Sequence, residues 1–115
     1  MADRGVHEGA GGAVSDATNA VLVEIATERA AQDAIFGQQD LPDGTGITGD
    51  ADRASSARHV CDVMFERGEG TYRDVFYEEV CEAFAESDPV KLRAELVQAV
   101  AVGVKWIEAI DRRSA

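Results

Sequence analysis

The segment from Leu96 to Ile110 does most to constrain this chain. Leu96, Val97, Val100, Val102, Val104, Trp106, Ile107 and Ile110 make a helix there apolar nearly all round. Such a helix is expected to be mostly buried. Its few polar side chains then need an account, because desolvating a charge without a partner costs about several kcal/mol. Glu95 and Gln98 stand three residues apart, so they share one face at the edge of this stretch. Lys105 follows two turns later. One account is a buried network pairing Glu95 with Lys105 or Arg93; the other is a bound cation.

The preceding helix bears on that choice. Its sequence contains Glu78-Glu79-Val80-Cys81-Glu82, and residues three apart again share a face. Glutamates on helices usually solvate a surface, and Glu86 fits that description, near Arg93. Two neighbouring helices that each aim a pair of oxygen-bearing side chains at the other form a different object. Such groups repel one another and need a cation, and Mg²⁺ favours oxygen ligands. A di-iron bundle would require Glu-x-x-His pairs, and neither His7 nor His59 follows a glutamate at that spacing. His59 beside Ser55 and Ser56 is read as a helix-face histidine, since nothing assembles a nucleophilic triad around it.

The remaining segments read as helices with clear punctuation. Met1 to about Ala17 is rich in Gly, Ala and charge without a period, and is expected to be a mobile tail. A first helix is expected from about Thr18 to Phe36, with Val21, Leu22, Ile25, Ala26, Ile35 and Phe36 as its apolar face and Gly37 as its stop. The polar stretch Gln38 to Gly46 contains Pro42-Asp43-Gly44, a turn signal, and reads as a long loop of the kind that is often functional. A second helix is expected over about Asp50 to Arg67, burying Ala54, Ala57, Val60, Cys61, Met64 and Phe65. Thr71 caps a third helix with Asp74 as its acidic companion, and Val75, Phe76, Val80 and Phe84 line it. Asp88-Pro89 opens the fourth, and Arg112 and Arg113 complement its C-terminal dipole. No segment alternates with a strand period. The expected class is all-α, a four-helix bundle-like domain over 18–115.

Composition removes several partners. At 115 residues the chain has room for one domain. A formal charge of −11 argues against nucleic acid and anionic membrane, which call for basic surfaces. It leaves a phosphate ligand open, because a bound divalent ion reverses the local sign. Cys61 and Cys81 form no CxxC and are read as reduced core thiols, which suits the cytoplasm. The N-terminus lacks a signal-peptide pattern, and the longest apolar run, Ala99 to Val104, is too short to span a bilayer.

The pattern Glu78-Glu79-x-x-Glu82, a gap of twelve residues, then Glu95-x-x-Gln98 resembles the signature of the MazG-like all-α nucleoside triphosphate pyrophosphohydrolases. The likeness extends to a small actinobacterial and phage-type branch of that group. Glu28-Arg29-x-x-Gln32-Asp33-x-x-Phe36-Gly37-x-Gln39 with Pro42-Asp43-Gly44-Thr45 is similar to that branch's first helix and loop. Leu92 to Gln98 and Trp106 to Arg113 are similar to its last helix. The resemblance covers about Val21 to Arg113 and implies a MazG-type fold. It implies that the chain cuts a nucleoside triphosphate, often a deoxy or non-standard one, into monophosphate and pyrophosphate. It implies Mg²⁺ held by Glu79, Glu82 and Glu95, with Gln98 where the family usually has Asp, and Glu78 as a catalytic helper beside Glu79 and Glu82. Arg29 and Lys105 are then candidates for phosphate contact, and Gln32, Asp33 and Gln39 for base or sugar, the other account of those three being helix-end and loop solvation. A homodimer or homotetramer is implied. Gln98 brings an amide oxygen but no charge, so two readings stand: an active hydrolase, and a nucleotide-binding or helical interaction protein with little turnover.

Overall fold

A computed structural model describes residues 12–114. The segment 1–11, most of the expected tail, lies outside the described residues. Four α-helices account for the ordered backbone: α1 (Asp16–Phe36), α2 (Asp50–Glu66), α3 (Tyr72–Phe84) and α4 (Pro89–Ser114). No strand occurs among the described residues. The all-α class and the four helices agree with the sequence reading.

Three of the four helices begin where a side chain takes up an orphan amide. α1 starts at Asp16, about two residues earlier than expected, because the Ser15 hydroxyl accepts from the Thr18 amide at 3.1 Å. It ends at Gly37, whose φ of 67° closes the last turn with a 2.8 Å bond from its amide to the Asp33 carbonyl. α3 opens on a complete capping box. The Thr71 hydroxyl accepts from the Asp74 amide, and the Asp74 carboxylate accepts from the Thr71 amide, both at 3.1 Å. α4 opens with Pro89 at its first position, and the Asp88 carboxylate accepts from the Lys91 amide at 3.1 Å. α2 differs. Its cap is Gly49, which offers no side-chain acceptor. The Asp50 carboxylate instead turns back to accept from the Ile47 amide at 3.0 Å.

The chain divides into two compact units. The first, Gly44–Gly103, contains α2, α3 and the N-terminal part of α4. Its core joins Cys61 of α2, Val75 of α3 and Val102 of α4, with Phe76 packed against them. Gly46 ties the preceding loop to α3, its amide donating to the Phe84 carbonyl at 2.7 Å. With φ at 73° and the Ser87 hydroxyl 2.7 Å from where a Cβ would stand, this position requires glycine. The second unit takes 12–43 and 104–114. There the Thr18 hydroxyl donates to Glu108 at 2.9 Å.

The expectation that α4 is mostly buried is corrected. Leu92, Ala99, Val102 and Val104 are buried, but Val90, Leu96, Val97, Val100, Ile107 and Ile110 are exposed in the single chain. The apolar faces of the other helices behave similarly. Val60, Phe65, Phe84, Leu22, Ile35 and Phe36 are exposed, while Ala57, Cys61, Val75 and Val21 are buried. One face of a helix is covered by its neighbours, and an apolar circumference exceeds what so short a chain can cover.

Candidate metal centre

The buried stripe of α3 is built largely from acid. Val75, Glu78, Glu79 and Glu82 follow the three- and four-residue steps that keep side chains on one face, and all four are buried. Glu78 and Glu79 are 0 % exposed. On α4 the same periodicity runs Leu92, Glu95, Gln98, Ala99, Val102; its apolar members are buried, and Glu95 and Gln98 are half-buried. Both helices thus use core-face positions for oxygen donors inside Gly44–Gly103.

These positions converge. One carboxylate oxygen from each of Glu79, Glu82 and Glu95 lies within 4.8 Å of the others. Oxygens sharing an octahedral shell with metal–oxygen distances of about 2.1 Å lie roughly 3–4 Å apart, so small side-chain rotations suffice to close the three onto one ion. Both oxygens of Glu79, Oε2 of Glu82 and Oε1 of Gln98 are buried and accept no hydrogen bond from the described residues. A carboxylate so enclosed is under electrostatic pressure. Burial first, then the charges of Glu82, Glu78 and Glu95, pushes the Glu79 carboxyl up from 4.5 to about 7.

Asp50 provides an internal contrast. It too is buried, yet its oxygens accept from the Ile47 amide and from Arg53, each at 3.0 Å. The Arg53 hydrogen bond above all holds its carboxyl below the ordinary range. Asp50 is a satisfied structural carboxylate that locks the start of α2. Glu79 has the burial without hydrogen-bond partners among the described residues, a lack that a cation held with Glu82 and Glu95 would make good. The donor set is all oxygen, from carboxylates and one amide. That chemistry suits a hard divalent ion such as Mg²⁺, Mn²⁺ or Ca²⁺ rather than zinc, which favours imidazole and thiolate.

One participant escaped the sequence reading. Arg58 of α2 donates from Nη2 to Glu82 Oε1 at 3.2 Å, leaving Glu82 Oε2 for the cluster. Its signal was faint. It follows the buried Ala57 and stands three residues before the buried Cys61, so it flanks the face of α2 that packs on α3.

The expected substrate-binding residues belong to the other unit. Arg29 donates to Asp33 at 2.8 Å and to Gln32 at 3.2 Å, and Gln32 donates to Glu28 at 3.2 Å, a network along the exposed face of α1. Gln39 and Lys105 are exposed. A groove of about 440 Å³ in that unit is lined by Val21, Ile25, Ala31 and Ile107 with Glu24, Thr27 and Glu28, and none of the five expected residues lines it. His59 is exposed, and Cys61 and Cys81 are buried and form no disulfide. No helix among the described residues is long and apolar enough to cross a membrane. Comparison with protein-family models, curated proteins and solved structures finds no match to this chain.

Proposed function

We propose that this chain is a Mg²⁺-dependent nucleoside triphosphate pyrophosphohydrolase of the MazG-like all-α kind, releasing pyrophosphate and a nucleoside monophosphate. The observation that carries this reading is Glu79: fully buried, both oxygens without hydrogen-bond partners among the described residues, and grouped with Glu82 and Glu95. Glu79, Glu82 and Glu95 hold the ion, and the Gln98 amide oxygen stands beside them as a neutral donor. When bound, Mg²⁺ offsets the charge of the phosphate oxygens and of the departing pyrophosphate. Glu78 takes the proton of the water that attacks the α-phosphorus, and the bond from that phosphorus to the bridging oxygen breaks. The chain's contribution is placement and fixed charge, with no covalent intermediate. Arg29 and Lys105 stay candidates for phosphate contact, and Gln32, Asp33 and Gln39 for base or sugar, with helix-end and loop solvation as the other account of those three. The protein then works in the cytoplasm as a homodimer or homotetramer, and the apolar side chains left exposed on α1 and α4 supply surface for that assembly.

Purified protein incubated with Mg²⁺ and a panel of ribo-, deoxy- and modified triphosphates is expected to release pyrophosphate from at least one. Glu82→Gln is expected to lower that release by about a thousandfold or more while circular dichroism stays helical. Full activity in that variant would remove Glu82 from the site. Gln98 supports a second reading, a nucleotide binder with little turnover, because a neutral donor replaces a charged one. A nucleotide-dependent thermal shift without product identifies that case, and neither response identifies a helical interaction protein.

The same residue provides a graded test. Gln98→Asp is expected to tighten Mg²⁺ by about tenfold in calorimetry, since it adds a charge close to the ion. It is also expected to lower the stability of the metal-free protein, because that charge joins three others. Unchanged affinity would take Gln98 out of the ligand set.

A further inference from the structure

We propose that Arg58 is a phosphate-recognising group at the metal centre, a role that rests on the metal reading above and extends it to the ligand's chemistry. The ligand it fits is a phosphoanhydride chain bridged to a single divalent ion. Arg58 reaches the cluster from α2 and holds Glu82 Oε1 at 3.2 Å, while Glu82 itself is buried. The arginine side chain is 48 % exposed. A guanidinium carries five N–H donors in a planar fork. The contact with Glu82 uses one nitrogen, and a side chain exposed to this degree presents other donors at the solvent edge of the carboxylates. That arrangement matches the paired oxygens of a phosphate.

Charge leads to the same conclusion. The three grouped carboxylates Glu79, Glu82 and Glu95, with Arg58 beside them and Glu78 outside the group, leave two negative charges, and Gln98 adds none. One divalent ion neutralises that set. Arg58 then provides, as a fixed cation, the second positive centre that a polyphosphate chain requires. If Arg58 only held Glu82 in place, its contribution would be that of a half-exposed ion pair, which is small.

The two roles differ in sign. Arg58→Gln removes a positive charge next to the ion, so Mg²⁺ is expected to bind roughly two- to tenfold more tightly in calorimetry at low salt, with one ion per chain in the parent protein. Inorganic tripolyphosphate, added with saturating Mg²⁺, is expected to bind roughly ten- to a hundredfold more weakly to the same variant. Arg58→Lys retains the charge but loses the fork, so its Mg²⁺ affinity should stay at the parent value and its tripolyphosphate affinity should fall between the other two. Tripolyphosphate bound equally by parent and Arg58→Gln overturns the proposal and leaves the metal site standing, as does a joint weakening of both ligands. Two ions per parent chain also overturn it. A parent protein that binds no Mg²⁺ overturns the metal reading itself.

Discussion

Saturating Mg²⁺ is expected to raise the midpoint of thermal unfolding by roughly 10 °C or more, and EDTA to return it to the metal-free value. The expectation follows from the difference between the two states of the chain. In the folded protein Glu79, Glu82 and Glu95 already bring oxygens within 4.8 Å of one another, so the ion finds its ligands assembled. In the unfolded chain α3 and α4 no longer hold those side chains together, and affinity for a single ion is lost. Binding to one state alone stabilises it by about 2.7 kcal/mol when free ligand exceeds the dissociation constant a hundredfold. For a domain near this size each kcal/mol moves the midpoint by roughly 4–8 °C. The metal also relieves repulsion that the metal-free protein must tolerate, since Glu79 has no hydrogen-bond donor among the described residues. Differential scanning fluorimetry or circular dichroism with and without EDTA is the measurement. A midpoint indifferent to Mg²⁺, Mn²⁺ and Ca²⁺ at millimolar concentration means that the cluster is not a metal site.

The local parts of this structure were readable from sequence because their causes are local. Thr71 with Asp74, Asp88 before Pro89, and Gly37 after Phe36 act within one turn of chain, and the helices begin or end there. The pairing of Glu79 with Glu82, and of Glu95 with Gln98, also needs only the pitch of a helix. What each helix meets across an interface is a different kind of fact. Arg58 is twenty-four residues from Glu82, and no periodicity within α2 says which carboxylate it will reach. The anchoring of Gly46 to the Phe84 carbonyl is hidden for the same reason. The apolar circumference of α4 was over-read because hydrophobicity states a tendency to be covered, and coverage depends on how many neighbours the chain can supply. Glu95 and Gln98 nonetheless lie on the same stripe as the buried Leu92, Ala99 and Val102, so the polar exceptions in that helix marked its inner face correctly.

Glu79→Gln is expected to separate the cluster's two liabilities, making the metal-free protein more stable while abolishing its response to Mg²⁺. The sign comes from linkage. The folded-state carboxyl is raised to about 7, above the ordinary 4.5, so between those values the folded protein holds a proton that the unfolded chain releases. Stability attributable to this group is therefore full below pH 4.5, declines as pH rises through about 7, and is level above that. The shift corresponds to roughly 3 kcal/mol at alkaline pH. Glutamine keeps the shape and carries no charge at any pH, so its advantage should be largest at pH 8 and vanish near pH 4. Its amide NH₂, buried among carboxylates, can also donate to them, which the glutamate anion cannot. Thermal or urea unfolding of parent and variant across that range, without metal, measures the crossover. Mg²⁺ affinity of the parent should weaken as pH drops below about 7, because the ion must displace the Glu79 proton, whereas Glu79→Gln should show little binding throughout and a loss of pyrophosphate release of about a thousandfold or more. A variant less stable than its parent at pH 8 would mean that the Glu79 carboxylate is held by donors the fold supplies, and the pressure argued for this centre would be absent.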